Sequence, residues 1–477
     1  MRSLNRKTLD LLEGPIRPTL VRFAAPLILT SLLTTVYTLT DLFWIGRLGS
    51  DAVAAVGLIG YITWMGDAVA VGMKTGMGVV VANRAGAHEK PHAIVEALSA
   101  GFQVSLVAAL VYALGFFAGL GAFVDFFALG PEISAMARVY GRIVLVGMIF
   151  KMLHFSYAQA FQSFGDADTP FRINLIGLLL NMVLDPLFIF GWGPMPALGI
   201  AGAAMATSLA QVVVYVVFRV AARQNAVEMD GERPGTYLIA QLRFSKPASL
   251  GLCGEIFRLG LPVALLSVAF CLISIVLNRM VSTFGALAVA VMTVGSQIES
   301  VNWMSTEGFG GALTAMTAQN IGAAEADPRR VPRVLSLMNV GMKTITSIGV
   351  VVMLAFWLFG RVVFAAFLPG NPAGIALGAA YLYIFSISEP FMAMETAAGA
   401  CFNAFGRTVP PAAISIGFNL LRIPLGYLLM SQIGVYGVWA AMSFSSVLKG
   451  SLLTLWGYRL ARRYGHPERE VQVGLDV

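Results

Sequence analysis

The chain has 477 residues, of which 57% are hydrophobic and only 12% charged, whereas a soluble domain carries about 25% charged residues. With a mean hydropathy of +0.78, this balance excludes a water-soluble globular protein and places the chain in lipid. The net charge of +7 could suit nucleic acid, but the positive residues gather in alternate connections, which is the signature of membrane orientation.

Residues 1–19 are polar and basic, and the apolar stretch from Leu20 is too long for the core of a cleaved signal. A helix needs about 20 apolar residues to cross the hydrocarbon core. Twelve stretches qualify: 20–46, 52–82, 93–123, 132–163, 168–191, 198–222, 255–283, 287–320, 334–362, 372–403, 408–431 and 434–460. The chain thus reads as an all-α integral membrane protein. Its predicted parts are an N-terminal segment 1–19, a six-helix lobe 20–223, a polar linker 224–253, a second six-helix lobe 254–461 and a tail 462–477. The linker is predicted to hold a short surface helix near Ala240. Arg2, Arg6, Lys7 and Arg17 precede the first span, and further Arg and Lys recur in every second connection, notably Arg219, Arg223, Arg233, Arg243 and Lys246 in the linker and Arg462 and Arg463 at the end. This bias puts both termini in the cytoplasm. Cys253, Cys271 and Cys401 lie on scattered apolar segments and suit neither a disulfide framework nor a metal site.

The two halves repeat each other. At an offset of 236, Arg22, Pro26, Gly49, Ala52 and Gly72 reappear as Arg258, Pro262, Gly285, Ala288 and Gly308. The offset is 241 at Tyr140/Tyr381 and Phe161/Phe402, 238 at Asn181/Asn419 and Pro186/Pro424, and 235 at Gly199/Gly434 and Gly202/Gly437. Six helices per half is an even number, so both halves enter the membrane in one direction. The repeat is parallel, with a pseudo-two-fold axis along the membrane normal, a common plan of secondary transporters. No nucleotide-binding loop of the Walker type occurs, which argues against direct ATP drive.

Ionisable residues inside apolar helices are expensive and usually face an internal cavity. Asp41 lies late in the first span and Asp185 late in the fifth, at similar height. Tyr37 and Asn181 each stand one turn before an acid. Two acids so placed cannot both ionise cheaply, so the pair can hold a proton. Its oxygens could equally hold a hard cation such as sodium, at Asp41, Asn181 and Asp185. The repeat partners of the acids are Leu277 and Ile423, so the fold itself does not demand carboxylates. The second half has its own acids, Glu307, Glu389 and Glu395, and Glu389 precedes Pro390. Lys74 and Arg422 read as counter-ions. Pro26 can kink the helix that carries Asp41 and is a candidate hinge, while Pro262 reads as a static kink. His88 and His92 have helical metal-pair spacing but flank Pro91 and read as solvated loop residues.

The series Pro26, Tyr37, Asp41, Gly46-Arg47-Leu48-Gly49, Gln162-Ser163-Phe164-Gly165, Asn181 with Asp185-Pro186, and Gly199-Ile200-Ala201-Gly202 leading to Thr207 is answered in the second half. There it continues as Gly260-Leu261-Pro262, Gln319-Asn320-Ile321-Gly322, Asn403-Ala404-Phe405-Gly406, Asn419 with Pro424, and Gly434-Val435-Tyr436-Gly437. Over about residues 20–460 this resembles the multidrug and toxic compound extrusion (MATE) family, and most of all its DinF-like branch. The resemblance implies two lobes in a V around a central cavity. It implies an exporter, not an enzyme, that moves cationic or amphipathic drugs out against inward protons or sodium ions. It places the coupling site at Asp41, Asn181 and Asp185, with Tyr37, Thr207 and Tyr140 nearby, and Gln162, Glu389 and Glu307 around the substrate cavity. It implies no cofactor beyond the coupling ion, no nucleic-acid partner, and a bacterial inner (plasma) membrane location in which a monomer suffices. The NorM-like branch uses acids on helices 7 and 10, and helix 7 here has none between Pro262 and Gly285. A lipid-linked saccharide flippase of a related two-lobe family is the alternative, and a basic cavity would favour it.

Overall fold

The computed structural model describes residues 11–127, 130–191, 196–227, 236–242, 247–367 and 371–465, and among these it contains helices and no strand. Arg2, Arg6, Lys7, Arg233, Arg243, Lys246 and His466, on which the orientation and loop readings partly draw, lie outside the described residues. The first half holds α1 (Ile16–Gly46), α2 (Ser50–Gly86), α3 (Pro91–Phe126), α4 (Pro131–Ser163), α5 (Asp168–Phe190) and α6 (Ile200–Val227). The second holds α7 (Leu250–Ser282), α8 (Ala286–Ala326), α9 (Val331–Phe367), α10 (Pro372–Ser386), α11 (Glu389–Ala404), α12 (Val409–Ile433) and α13 (Val435–Gly465).

Two expected spans look different in the structure. The stretch 372–403 is broken: α10 and α11 meet at a 43° bend across Ile387 and Ser388. Pro390, at the start of α11, has no N–H to give to the preceding turn, so the helix restarts there. α8 is long enough to span at 41 residues but does not reach the apolarity of a membrane span. Among the described residues ten helices do, and the bent pair counted as one span adds an eleventh. Gln297, Glu299, Asn302 and Glu307 lower its hydropathy, and of these Asn302 is buried while Gln297 and Glu307 are exposed.

The described chain divides into two compact units that do not follow the sequence halves. One contains Leu29–Ala264, and the other contains Leu12–Ile28 and the chain from Leu265 onward. The changeovers, at 28/29 in α1 and 264/265 in α7, are 236 residues apart, so the repeat governs them. Each follows an internal proline, Pro26 or Pro262, by two residues. These prolines leave the carbonyls of Arg22 and Arg258 without their helical donors.

In lipid no hydrophobic force drives helices together, and close approach of small residues takes its place. In the first unit a Cβ on Gly72 would lie 2.6 Å from the Gly260 carbonyl oxygen, so α2 and α7 meet backbone to backbone. In the second unit the repeat mate Gly308 meets α1 the same way, 2.8 Å from the Ile28 nitrogen. The first unit's core gathers Phe102, Tyr157, Phe161 and Phe218 with Leu238 and Ile239. Leu238 and Ile239 belong to a short 3-10 helix, Thr236–Gln241. The expected linker helix near Ala240 therefore exists, but it drives two apolar side chains into the unit instead of lying on its surface. The second unit packs around Trp439, Tyr381, Phe364 and Leu382.

Candidate functional site: a buried carboxylate pair

α5 and α6 are held in fixed register where the chain enters α6. Gly191 and Gly199 adopt positive φ (71° and 55°), and the N–H groups of Leu198 and Gly199 donate to the carbonyls of Phe188 and Ile189. A side chain on Gly202 would collide with the Phe188 carbonyl. This accounts for the Gly-Ile-Ala-Gly motif and brings Thr207 of α6 level with the upper part of α5. Pro186 denies the Met182 carbonyl its helical donor just beside Asp185.

In the first unit Asp41, Asp185, Asn181, Thr207, Tyr37 and Tyr140 come together. Asn181 and Asp185 are 0% and 1% exposed. Asn181 Nδ2 donates to Asp185 Oδ1 at 3.2 Å, and Thr207 Oγ1 donates to Asp41 Oδ2 at 3.5 Å. Asp41 lies beside Asp185, within side-chain contact, and also beside Asn181. Tyr37 and Tyr140 stand next to both acids and to Thr207. Each carboxylate keeps one buried oxygen without a donor, Asp41 Oδ1 and Asp185 Oδ2, and Asn181 Oδ1 and the Tyr37 hydroxyl are also unpartnered. Burying an unpaired carboxylate costs several kcal/mol. Two carboxylates in contact disfavour ionisation of both, so the pair is suited to hold a proton or a cation.

The other expected residues lie elsewhere. Gln162 is at the far end of α4, about 33 Å along the helix from Tyr140 at 1.5 Å per residue, so it is no part of this cluster. Glu307 is exposed on α8. Glu389 belongs to a separate cluster in the second unit, fully buried at the head of α11, where it accepts from Asn302 Nδ2. Glu299 and Tyr381 face it. One oxygen on each of Glu389, Glu299 and Asn302 has no partner. Glu299 had no place in the sequence reading, although a Glu three residues before Asn302 in a span was a visible signal. It supplies from α8 an acid that α7 lacks beyond Pro262. Tyr381 is the repeat mate of Tyr140, so each unit sets a tyrosine against two acids. Glu395 pairs with Lys449 at 2.8 Å and accepts from Ser415 at 2.7 Å, while Lys449 also donates to Asn419 Oδ1 at 3.1 Å. Arg422 donates to the hydroxyls of Ser445 and Ser446 at 2.7 and 2.8 Å, and Glu395 and Glu299 lie nearby. His88 and His92 are exposed. No group of three His, Cys, Asp or Glu able to hold a metal occurs among the described residues.

Membrane-spanning helices in an internal repeat, with buried acids inside each unit, are the plan of a multi-pass secondary transporter. The MatE family model matches residues 26–187 and 262–428, once in each half of the chain. The chain belongs to the MatE family of MATE transporters. It is 26% identical over 448 residues to the probable multidrug resistance protein YoeA of Bacillus subtilis, covering 91% of this chain and 92% of that protein. It is 25% identical over 468 residues to a FAD transporter of Shewanella oneidensis, covering 96% and 97%. Among solved structures, MATE in its bent conformation aligns with a TM-score of 0.86 at 22% identity, over 97% of this chain and 99% of that one. A MOP superfamily transporter from Pyrococcus furiosus aligns at 0.84 and 23%, over 96% and 99%.

Proposed function

We propose that this transporter exports amphipathic, mostly cationic small molecules in exchange for inward protons, with sodium as the competing ion. The reading places it in the DinF-like branch, in a bacterial inner membrane with both termini cytoplasmic, working as a monomer without a cofactor. The observation that carries it is the pair of donorless carboxylate oxygens on Asp41 and Asp185. When a proton or cation from outside binds there, the site loses negative charge and with it its hold on a cationic cargo. An ion can shift the transport equilibrium only through its differential affinity for two states, and these two carboxylates are groups whose charge can change. Multidrug relatives support the cargo class, whereas the FAD transporter relative moves an anionic dinucleotide and lends it no support. A flippase for pyrophosphate-linked saccharides would call for unmatched basic groups, yet Lys449 is matched by Glu395 and Lys151 by Asp67 at 2.7 Å.

The test is efflux from proteoliposomes under an imposed pH gradient and then under a sodium gradient. Asp41→Asn and Asp185→Asn, which fix the uncharged form, should lower gradient-driven efflux at least tenfold while leaving expression intact. Full export by Asp41→Asn would sink the assignment. A requirement for sodium would recast the same residues as an ion-coordination site.

A further inference from the structure

We infer that the first unit contains an internal water-filled proton route, with His154 as its relay, running from the Asp41–Asp185 pair to the end of the unit that carries Arg219 and Arg223. This rests on the proton-coupled reading above and deepens it by assigning the path the proton takes after it leaves the carboxylates.

Leaving aside Asp67 Oδ1 and Arg138 Nε, the buried polar atoms without a partner in this unit can be ordered by helix register into one file. Tyr37, Asp41, Asn181 and Asp185 form its head. Gln211 Oε1 and then both ring nitrogens of His154 continue it. Along α6, Thr207, Gln211, Tyr215 and Arg219 follow at four-residue spacing, so each adjoins the next in steps of about 6 Å, along a line that winds by about 40° per step. α4 packs alongside in matching register. Ser208 Oγ donates to the Ile143 carbonyl at 3.1 Å. Further along, the Tyr215 ring lies 5.7 Å from Phe150 and 5.8 Å from Tyr157, and Phe218 lies 6.1 Å from His154. His154 is thus level with Tyr215, one to two turns past Gln211. Tyr157, one turn beyond His154, stands in the field of Arg219 and Arg223.

The surroundings of His154 indicate what fills the gap. It is 5% exposed, with its ring stacked on Phe155 at 5.1 Å and 8°. Neither neighbouring phenyl ring can satisfy the ring nitrogens. A neutral imidazole presents one donor and one acceptor, and buried groups of this kind are satisfied by ordered water. A water can accept from one nitrogen while another donates to the second, and a water can donate to Gln211 Oε1. With no metal-holding cluster among the described residues, water is the occupant that meets all these demands. The relay step balances: one ring nitrogen takes a proton from the water on its side as the other nitrogen gives its own to the next water. One proton advances and the ring ends neutral in its other tautomer, and a half-turn of the ring about Cβ–Cγ restores the first arrangement for the next proton. The charged groups that act on the ring are Lys151 on α4 and Lys74 on α2; behind them Asp67 of α2 pairs with Lys151, and Tyr157 of α4 packs on Tyr215 of α6. α3 brings Ser105, which accepts from Ser156 at 2.8 Å.

The experiment uses the full chain. Ethidium efflux under a pH gradient is measured in proteoliposomes for His154→Phe, which keeps an aromatic ring in the stack, for His154→Gln, and for Gln211→Leu. We expect the maximal rate to fall at least tenfold in the His154 variants with the ethidium KM within twofold of the parent, because the cargo step is untouched. X-ray hydroxyl-radical labelling of the unaltered protein, which needs no variant to fold, should mark His154 and Tyr215 well above the lipid-facing Trp357. Parental rates in all three variants, or labelling of His154 and Tyr215 no higher than Trp357, would overturn the route. Parental rates in these variants beside an inactive Asp41→Asn would remove the route and leave proton exchange standing. Full activity of Asp41→Asn would remove the exchange reading itself.

Discussion

Single residues carry unequal weight here because some buried charges are matched and others are not. Lys449 is 4% exposed and held by Glu395 and Asn419, so its charge is compensated. Removing one member of a buried pair leaves the other charged and unpaired, at a cost of about 3–5 kcal/mol, whereas replacing both with apolar groups is often neutral. Lys449→Met should therefore lower the melting temperature sharply in detergent, and Lys449→Met with Glu395→Leu should recover most of the loss. A double variant as unstable as the single one would refute the pairing. The same contrast separates Glu395, which has partners, from Asp41, Asp185 and Glu389, whose oxygens are left wanting. The sequence made Asp41 and Asp185 visible because an acid in a span is rare. Lys449 was open to the same reasoning and went unused. Glu299 was hidden because α8 is polar along much of its length, which blurs which side of the helix faces in.

Helix positions were the more legible level. The predicted spans begin and end within about six residues of the observed helices, because runs of apolar residues bounded by Gly, Pro and charge leave little freedom in lipid. The break between α10 and α11 was less legible, since a proline inside a hydrophobic stretch can kink a helix or end it. The distance of Gln162 from the carboxylate pair was legible too, since height along one helix is simple arithmetic. Packing between helices is not written in the composition at all. A Cβ at Gly76 would run into the Ile256 carbonyl, whereas one at Gly115 would meet nothing within 4 Å. Overpacking of this kind costs about 1–3 kcal/mol, while Gly→Ala at an open helical site gains up to about 1 kcal/mol. Gly76→Ala should thus lower thermal stability and Gly115→Ala should hold or raise it. Equal behaviour of the two in a melting assay would show that the α2–α7 approach is not tight.

For the whole molecule, the boundary between its compact units matters more than the boundary between its sequence halves. A chain divided after Val227 yields two fragments, each missing a helical segment that its unit uses. The first carries Leu12–Ile28, which packs with the second unit, and the second carries Leu250–Ala264, which packs with the first. Each fragment expressed alone should be degraded, and the two together should restore efflux. A stable, folded single fragment, seen by protease resistance in detergent, would contradict this. The repeat could be read from the sequence, but the exchange could not, because offsets between similar residues report ancestry and not which segments pack together.

That exchange also speaks to origin. A six-helix precursor that lent the start of its first helix to a second copy, and received the same segment in return, would have been an obligate swapped homodimer. Joining two such copies end to end through a short linker would preserve every borrowed segment in place. It would also free the copies to diverge, so that one could carry Asp41 and Asp185 where the other has Leu277 and Ile423.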